Sequence, residues 1–600
     1  MLNINSVEQS GPYPKHIDQY LSRTFDRPNE NEYSIFIAFT GHDASITIAK
    51  GNQILEVIEM ERFLNLKNVD FTYRKWKDGY SGKILNYSIN NVKTFFYEVS
   101  SYISRKHTSV FDIGFCVDRK SVLVNQENND IIDYTAFFNV KNDNWHLQSH
   151  HISHACGAFF QSNFENALVI TIDGGSPDGT TNFFFMDKTG TIKYISNFNS
   201  LLCKVYPKFG NIFGDIKPIS YNYSLIHPGK IMGLAGYGTP REDFVEVFKR
   251  VMLGWYNESN ENLVFSKLGL IPEIHSPAIQ PNPKILDKVD RIYEKKQFDL
   301  AASLQKAFED LYLEIVGKYL DEYPDIPICI SGGGALNINA NTLVKEMYKR
   351  DVFIPPDPSD CGLSLGCALA YIKPSVPYEN PYSGLYLLDR DLLSTYINEE
   401  FGISDANSNF SIIPDIENNL SVLADLINSD KIIGIARGRC ERGPRALGNR
   451  SIICSVLNPE MKNIVNSKVK HREWFRPFSP MVRLESVSKY FHWEGESRFM
   501  TFCPKVKSEY LKKIPSVVHV DGTARVQTIT KDQNAFIYNL LTEISKTNGG
   551  YDLILNTSFN VDSKPIISSI KDAIKVLKQT KLDGIVVENV LIYKNEKYEY

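Results

Sequence analysis

Ser149-His-His-Ile-Ser-His154 and, nineteen residues beyond it, Asp173 within Thr171-Ile-Asp-Gly-Gly-Ser-Pro-Asp-Gly-Thr180 decide how this chain is read. His150 and His154 are i and i+4. A helix over Ser149–Ser162 therefore sets both imidazoles on one face, a turn apart, as a shared metal ion requires. The run Ala167-Leu-Val-Ile-Thr-Ile172 is apolar almost throughout and predicts a buried strand. Asp173 then lies at its carboxyl end, where open α/β sheets hold ligands. The competing reading is a helix whose histidines are already satisfied by their neighbours.

The same texture occurs twice. Leu168–Ile195 reads as strand, polar loop, strand, turn, strand, and Ile35–Ile58 has that order too, with Lys50-Gly-Asn and Asp187-Lys-Thr-Gly as hairpin turns. Two such units facing one another would put both loops around one phosphate chain. Further along, Leu300, Leu304, Phe308, Leu311, Ile315 and Tyr319 recur at helical spacing. Ile326-Pro-Ile-Cys-Ile330 then predicts a strand running into Ser331-Gly-Gly-Gly-Ala-Leu-Asn337 and another helix. Glycine lets backbone approach an anion closely and a helix N-terminus favours negative charge, so Gly333, Gly334 and Asn337 are candidate nucleotide contacts. His227-Pro-Gly-Lys-Ile-Met-Gly-Leu-Ala-Gly-Tyr-Gly238 adds Lys230 for phosphate and Gly233 among small residues for a base or ribose. Each loop equally fits a tight turn with no ligand.

Composition sets the outer limits. Six hundred residues exceed one hydrophobic core and imply more than one domain. A net charge of -4 and a pI near 6.3 give no argument for nucleic acid or an anionic membrane as partner, which leaves small molecules. Nine scattered cysteines without a Cys-x-x-Cys pair fit buried thiols in a reducing, cytoplasmic setting. Met1–Glu32 lacks the apolar core of a signal peptide, and no run approaches a membrane span. The expected assembly, if closed, is a homodimer, the commonest kind.

Lys373-Pro-Ser-Val-Pro-Tyr-Glu-Asn-Pro-Tyr-Ser-Gly384 is the linker candidate, dividing the chain into an extension (1–31), a first domain (32–384) and a second α/β domain (385–600). Strand and helix patterns resume at Ile432–Ala436, Glu460–Val469, Asp552–Leu555, Ile570–Leu577 and Gly584–Val587. Anion chemistry concentrates here. Arg437-Gly-Arg-Cys-Glu-Arg-Gly-Pro-Arg-Ala-Leu-Gly-Asn-Arg450 carries five arginines, and Lys468-Val-Lys-His-Arg-Glu-Trp-Phe-Arg476 adds further basic side chains. Guanidinium forks bind phosphate bidentately, whereas the competing reading is a solvated charged face. Asn556-Thr-Ser-Phe-Asn560 adds neutral donors suited to a planar amide or carbamate.

Gly41-His-Asp-Ala-Ser45, the His-His-x-x-His segment, Pro228–Gly238, Gly332–Asn337, Gly443-Pro-Arg-Ala-Leu-Gly-Asn-Arg-Ser451, Glu473-Trp-Phe-Arg-Pro-Phe-Ser-Pro480, His519-Val-Asp-Gly-Thr-Ala-Arg-Val-Gln527 and Asn556–Asn560 together resemble the O-carbamoyltransferase family of nodulation-factor, antibiotic and toxin biosynthesis. The resemblance implies an α/β fold with an N-terminal, internally duplicated domain of the actin, sugar-kinase and Hsp70 type, similar to the enzyme that makes threonylcarbamoyladenosine in tRNA. The C-terminal domain would be YrdC-like. It implies that the C-terminal site converts carbamoyl phosphate and Mg-ATP to carbamoyl adenylate, and that the N-terminal site passes the carbamoyl group to a hydroxyl of a small natural product.

Carried over by motif, His150, His154, Asp173 and Asp360 would hold Fe(II) or a similar divalent metal, and His42 would be the acid/base. Arg445, Lys470, Arg476, Ser558 and Asn560 would take carbamoyl phosphate, with Arg525 facing ATP. Arg442 stands where an aromatic residue is expected after Glu441. Two other functions share these features. A tRNA-modifying enzyme using threonylcarbamoyl adenylate would show a basic stripe, and a non-catalytic ATP-binding module would move no carbamoyl group. A metalloprotease would need the glutamate of His-Glu-x-x-His. Acceptor contacts are expected in Thr72–Ser81 and Leu201–Tyr223.

Overall fold

The computed structural model of the 600-residue chain describes residues 15–23, 25–40, 43–67, 76–77, 84–85, 89–125, 130–176, 178–217, 226–254, 268, 291–402, 409–561 and 564–595. It divides into two compact units. One comprises Met1–Gly41, Ala49–Gln53 and Asp70–Glu379, and the other His42–Ile48, Ile54–Val69 and Asn380–Tyr600.

The order of elements along the chain repeats. Strands β1 (Tyr33–Phe39), β2 (Ala44–Lys50) and β3 (Gln53–Glu59) precede β4 (Ile113–Val117) and β5 (Trp145–Gln148), and β4 runs parallel to both β1 and β5. Helix α1 (His150–Phe159) leads into β6 (Asn166–Ser176), β7 (Gly179–Asp187) and β8 (Ile192–Phe198), then helices α2 (Pro228–Ala235) and α3 (Glu294–Gly317), strand β9 (Ile328–Ser331), helix α4 (Ile338–Tyr348), strand β10 (Val352–Phe353) and helix α5 (Leu363–Ile372). The second sheet has the order β8-β7-β6-β9-β10, with β6, β9 and β10 parallel and the β6–β7 and β7–β8 pairs antiparallel. Ala167–Ile172 are all buried, as a strand covered on both faces demands. The hairpin between β7 and β8 turns on Asp187, whose carboxylate accepts from the Thr189 N–H at 2.9 Å.

Helices α1 and α5 are buried along their whole length. They touch backbone to backbone: a Cβ added to Gly366 would stand 2.0 Å from the Ser153 carbonyl oxygen, and one on Gly157 would meet the Gly366 Cα at 3.4 Å. This closeness carries the turn Asp360–Gly362, just ahead of α5, up to the histidine face of α1. The N-terminal segment also packs on this unit. Ile17 is buried, Arg23 donates to the Leu147 carbonyl at 3.0 Å, and the Phe25 ring lies edge-on to Phe115 and His146 at 5.2 and 5.0 Å.

The second unit is built on an eight-stranded mixed sheet. Its strands are β11 (Phe410–Pro414), β12 (Ile433–Ala436), β13 (Arg450–Cys454), β14 (Ser479–Arg483), β15 (Gln527–Ile529), β16 (Leu553–Ser558), β17 (Gly584–Val587) and β18 (Val590–Lys594), in the order β11-β18-β17-β12-β13-β16-β14-β15. Helices α6 (Leu420–Asn428) and α7 (Ala535–Thr547) bury Leu423, Ile427, Leu540 and Ile544 in one core with Ile433, Ile453, Met481 and Ile554 of the sheet. A third helix, α8 (Ile570–Gln579), lies against β17. Among the described residues no helix is long and apolar enough to cross a membrane.

Gly366→Ala should force α1 and α5 apart. Overpacking of this kind costs about 1–3 kcal/mol, so the denaturant midpoint should fall and the capacity to retain a divalent ion should fall with it, read by urea melts and metal analysis.

Candidate metal centre and anion site

Ser149 starts α1 as its N-cap, its hydroxyl accepting from the Ile152 N–H at 3.1 Å and donating to Asp178 at 2.6 Å. The turn of helix that follows presents His150 and His154 together, with Asp173 arriving from the end of β6 and Asp360 from the turn before α5. One ligand atom from each of these four residues lies within 4.8 Å of all the others. His150 Nε2 stands 3.5 Å from Asp173 Oδ2 and 3.4 Å from Asp360 Oδ1, and His154 Nε2 stands 3.4 Å from the same Asp360 oxygen.

The three histidines of the segment are not alike. His151 is the satisfied one, its Nδ1 2.6 Å from the Thr171 hydroxyl and its Nε2 3.0 Å from the Gly179 carbonyl. Burial, then the neighbouring His150 and His154, push its pKa down to about 3. The Nε2 atoms of His150 and His154 are instead buried with no hydrogen-bond partner among the described residues. Burial opposes charge on His150, yet Asp360, with Asp118 and Asp173, holds its pKa well above the usual range. For Asp173, burial and Asp360 push upward, while His150 and His154 prevail and keep the carboxyl below its ordinary value. The pocket draws positive charge to its centre. Two imidazoles and two carboxylates, with a ligand atom of each within 4.8 Å of the others, fit a divalent transition ion.

The glycine loop abuts this centre. Gly332 has φ +91°, and a Cβ on it would fall 2.3 Å from the Ile172 carbonyl oxygen. The Gly333 N–H donates to Asp173 Oδ1 at 2.9 Å, which leaves Oδ2 to face His150. Gly334 lies against Ile172 and Cys203. Asn337 caps α4, accepting from the Ala340 N–H at 3.2 Å, and its amide is paired with Gln305 at 3.0 and 3.2 Å. Lys230 and Gly233 sit apart from this loop in the chain, on α2, which packs against α3; Lys230 is buried. His42, Thr72–Lys75, Asp78–Ser81 and Pro218–Tyr223 lie outside the described residues.

In the second unit most of the arginine-rich stretch turns out to shape the loop. Arg450 donates to the carbonyls of Arg437 and Gly438 at 2.6 and 2.9 Å, and Arg439 to those of Leu55, Ser383 and Gly384. Arg437 pairs with Glu417 and lies over the Phe536 ring, and Arg442 donates to the Asn380 carbonyl at 3.2 Å. Buried Glu441 gathers the N–H groups of Leu447, Asn449 and Arg450 at 2.7, 2.8 and 3.0 Å. Arg62, paired with Glu59 at 3.2 Å, donates to the carbonyls of Glu441 and Gly443.

Arg445 is the arginine of that stretch left to join a cation cluster. Burial, then Arg476, push its pKa down to about 10. Arg525 is lowered by burial and by Arg445 and Arg476, and Arg472 by burial and by Arg476 and Arg525. Lys470, lowered by burial and by Arg472 and Arg476, ends a π-helical turn at Val465–Lys470 and donates to the carbonyls of Ser558 and Asn560, each at 2.6 Å. Ser558 donates to Asn560 Oδ1 at 2.8 Å. Glu473, 3.5 Å from Arg476, is an acidic group that offsets part of the cluster. The structure thus gathers Arg445, Lys470, Arg476, Ser558 and Asn560 and places Arg525 with them. Arg472 belongs to the set too, and its position within Lys468–Arg476 was the signal for it. Like charges that depress one another's pKa form a site that a polyanion relieves.

Residues 35–369 match the family description "Carbamoyltransferase N-terminus", and residues 424–594 match "Carbamoyltransferase C-terminus". The chain belongs to the carbamoyltransferase family. It is an enzyme of carbamoyl transfer, and the candidate metal-ligand quartet lies in the N-terminal match while the cation cluster lies in the C-terminal one. An uncharacterized protein of Methanocaldococcus jannaschii is 30% identical over 92% of this chain and 98% of its own length. Nodulation protein NolNO of Sinorhizobium fredii is 27% identical over 96% of this chain and 82% of its own, and nodulation protein NolO of Bradyrhizobium diazoefficiens 30% over 74% and 79%. Among solved structures, full-length HypF in its phosphate- and nucleotide-bound form covers 58% of this chain and 56% of its own, at 13% identity and a TM-score of 0.29, too remote to carry an argument.

Equilibrium dialysis against Zn(II) should load one ion per chain, and Asp360→Asn or His154→Ala should lose it, read by elemental analysis. Inorganic phosphate should raise the melting temperature of the wild type, less so at high salt, and Arg445→Ala should cancel most of that rise.

Proposed function

We propose that this carbamoyltransferase works in two stages: activation of carbamoyl phosphate with Mg-ATP in the second unit, and transfer of the carbamoyl group to an acceptor hydroxyl in the first. The observation that carries the reading is the pairing, in one chain, of a cluster of mutually repelling cations and a largely buried quartet of potential metal ligands beside a glycine loop. On this reading the N-terminal domain (32–384) is of the actin, sugar-kinase and Hsp70 type, supported by the repeated order of its strands, and the C-terminal domain (385–600) is YrdC-like.

The residues divide the work by charge. Arg445, Arg472, Arg476 and Arg525 would neutralise the phosphates of both cosubstrates, while Lys470, steadied by Ser558 and Asn560, meets the carbamoyl phosphate. Water cleaves the carbamoyl phosphate to carbamate and phosphate. The carbamate oxygen then attacks the α-phosphorus of ATP, forming carbamoyl adenylate and expelling pyrophosphate. Free carbamate decomposes readily, so production and use within one chain protect it.

In the first unit Gly333 and Gly334 would approach the adenylate with bare backbone, and Lys230 would meet phosphate. A divalent ion, Fe(II) by the family resemblance, held by His150, His154, Asp173 and Asp360 would polarise the carbamoyl oxygen or neutralise the adenylate phosphate. The acceptor oxygen attacks the carbamoyl carbon and AMP leaves, and by the family resemblance His42 of the N-terminal domain (32–384) would take the hydroxyl proton. The acceptor class is a small natural-product alcohol, and the nodulation, antibiotic and toxin pathways of the resemblance set the candidates.

The test is a panel of such alcohols incubated with ATP and carbamoyl phosphate and read by mass spectrometry for carbamoyl gain. His42→Asn should abolish the gain while pyrophosphate release continues. Full turnover by His42→Asn would overturn the acid/base assignment.

A further inference from the structure

Asp118 is a carboxylate that neither the metal quartet nor the anion site employs. It follows β4 directly, and the parallel pairing of β4 with β5 sets Val117 opposite Gln148, the residue before the Ser149 cap. The Asp118 N–H donates to the Gln148 carbonyl at 3.0 Å, which fixes the aspartate beside the first turn of α1. Its backbone sits at φ +63°, in the left-handed region that few side chains other than Asp and Asn adopt readily. That conformation aims the carboxylate at His150, with Oδ2 3.1 Å from Nδ1. The Nδ1–H of His150 is thereby directed at Asp118, and Nε2 is the ring atom left to face Asp173 and Asp360 and to bind an ion.

We propose that Asp118 is a positioning residue of the metal centre, which locks the tautomer and ring orientation of His150 and thereby sets the affinity for the divalent ion. The role rests on the metal reading given above. A histidine ligand whose far nitrogen is held by a carboxylate is a more basic and better oriented donor, and loss of such a partner weakens metal binding by about 10–100-fold. The site is sheltered: His150 is almost fully buried, and Arg23 and Phe25 of the N-terminal segment pack on the β5 side of it. Tyr20 of the same segment feels Asp118, since burial, then Asp178 and Asp118, raise its pKa.

Metal-stripped full-length protein is titrated anaerobically with Co(II), read by its visible d–d absorption, for wild type, D118N, D118G and D360N. Asn and Gly both tolerate the left-handed backbone, so the fold is kept while the charge, or the whole acceptor, is removed. D118N should bind Co(II) about 10-fold more weakly and D118G up to about 100-fold. The melting temperature of each metal-free variant should stay within a few degrees of wild type, which a purely structural role would not allow. D360N, which removes a ligand, should lose binding outright. Co(II) affinities of D118N and D118G within twofold of wild type would overturn the assignment while the metal reading stands, and if D118G melts too low to titrate, D118N decides. A wild type that takes up no Co(II) would remove the metal reading and this role with it.

Discussion

Two buried imidazole nitrogens without a hydrogen-bond partner among the described residues, facing the buried Asp360 and the partly buried Asp173, are the constraint around which the first unit is organised. An unsatisfied buried polar atom costs about 1–3 kcal/mol, and apposed carboxylates add repulsion. A cation bound among the four residues would relieve both costs. The surrounding features serve its geometry. Ser149 starts the helix at the right residue, His151 ties that helix to β6 and β7, and the glycine contact between α1 and α5 lets Asp360 reach it.

The second unit solves the opposite problem. Its cations are crowded until burial and mutual repulsion depress them, and the carboxylates nearby are mostly spent elsewhere: Glu441 on backbone N–H groups and Glu59 on Arg62. A loop stiffened from behind by Arg62, Glu441 and Arg450 can hold Arg445 in place without ligand, and so loses less freedom when an anion arrives. One unit wants a cation and the other an anion. That complementarity is what a two-stage use of phosphorylated cosubstrates asks of a single chain.

Much of this was legible in the sequence, because the deciding signals are periodic or local. The i, i+4 histidines, the apolar run ahead of Asp173 and the strand before the triple glycine each follow from side-chain period and glycine geometry, and the structure has a helix, a strand and a strand there. Asp360, the fourth member of the candidate quartet, is indicated by no spacing; the motif resemblance supplied it, and the α1–α5 contact explains how it comes to lie beside the histidines. Arginine count misled in a physical way. Guanidinium groups satisfy backbone carbonyls as readily as phosphates, so Arg439, Arg442 and Arg450 in the same stretch are bound to carbonyls and Arg445 is not among them. Asp118 depends on strand pairing and a left-handed backbone, which become visible only in three dimensions.

On the proposed two-stage reading, the cation cluster alone carries the activation stage. Pyrophosphate release, measured without any acceptor, tests it most directly in wild type, Lys470→Ala and His154→Ala. Release should depend on both ATP and carbamoyl phosphate, vanish in Lys470→Ala and survive in His154→Ala. Release that proceeds without carbamoyl phosphate, or that survives Lys470→Ala and is lost in His154→Ala, would contradict it.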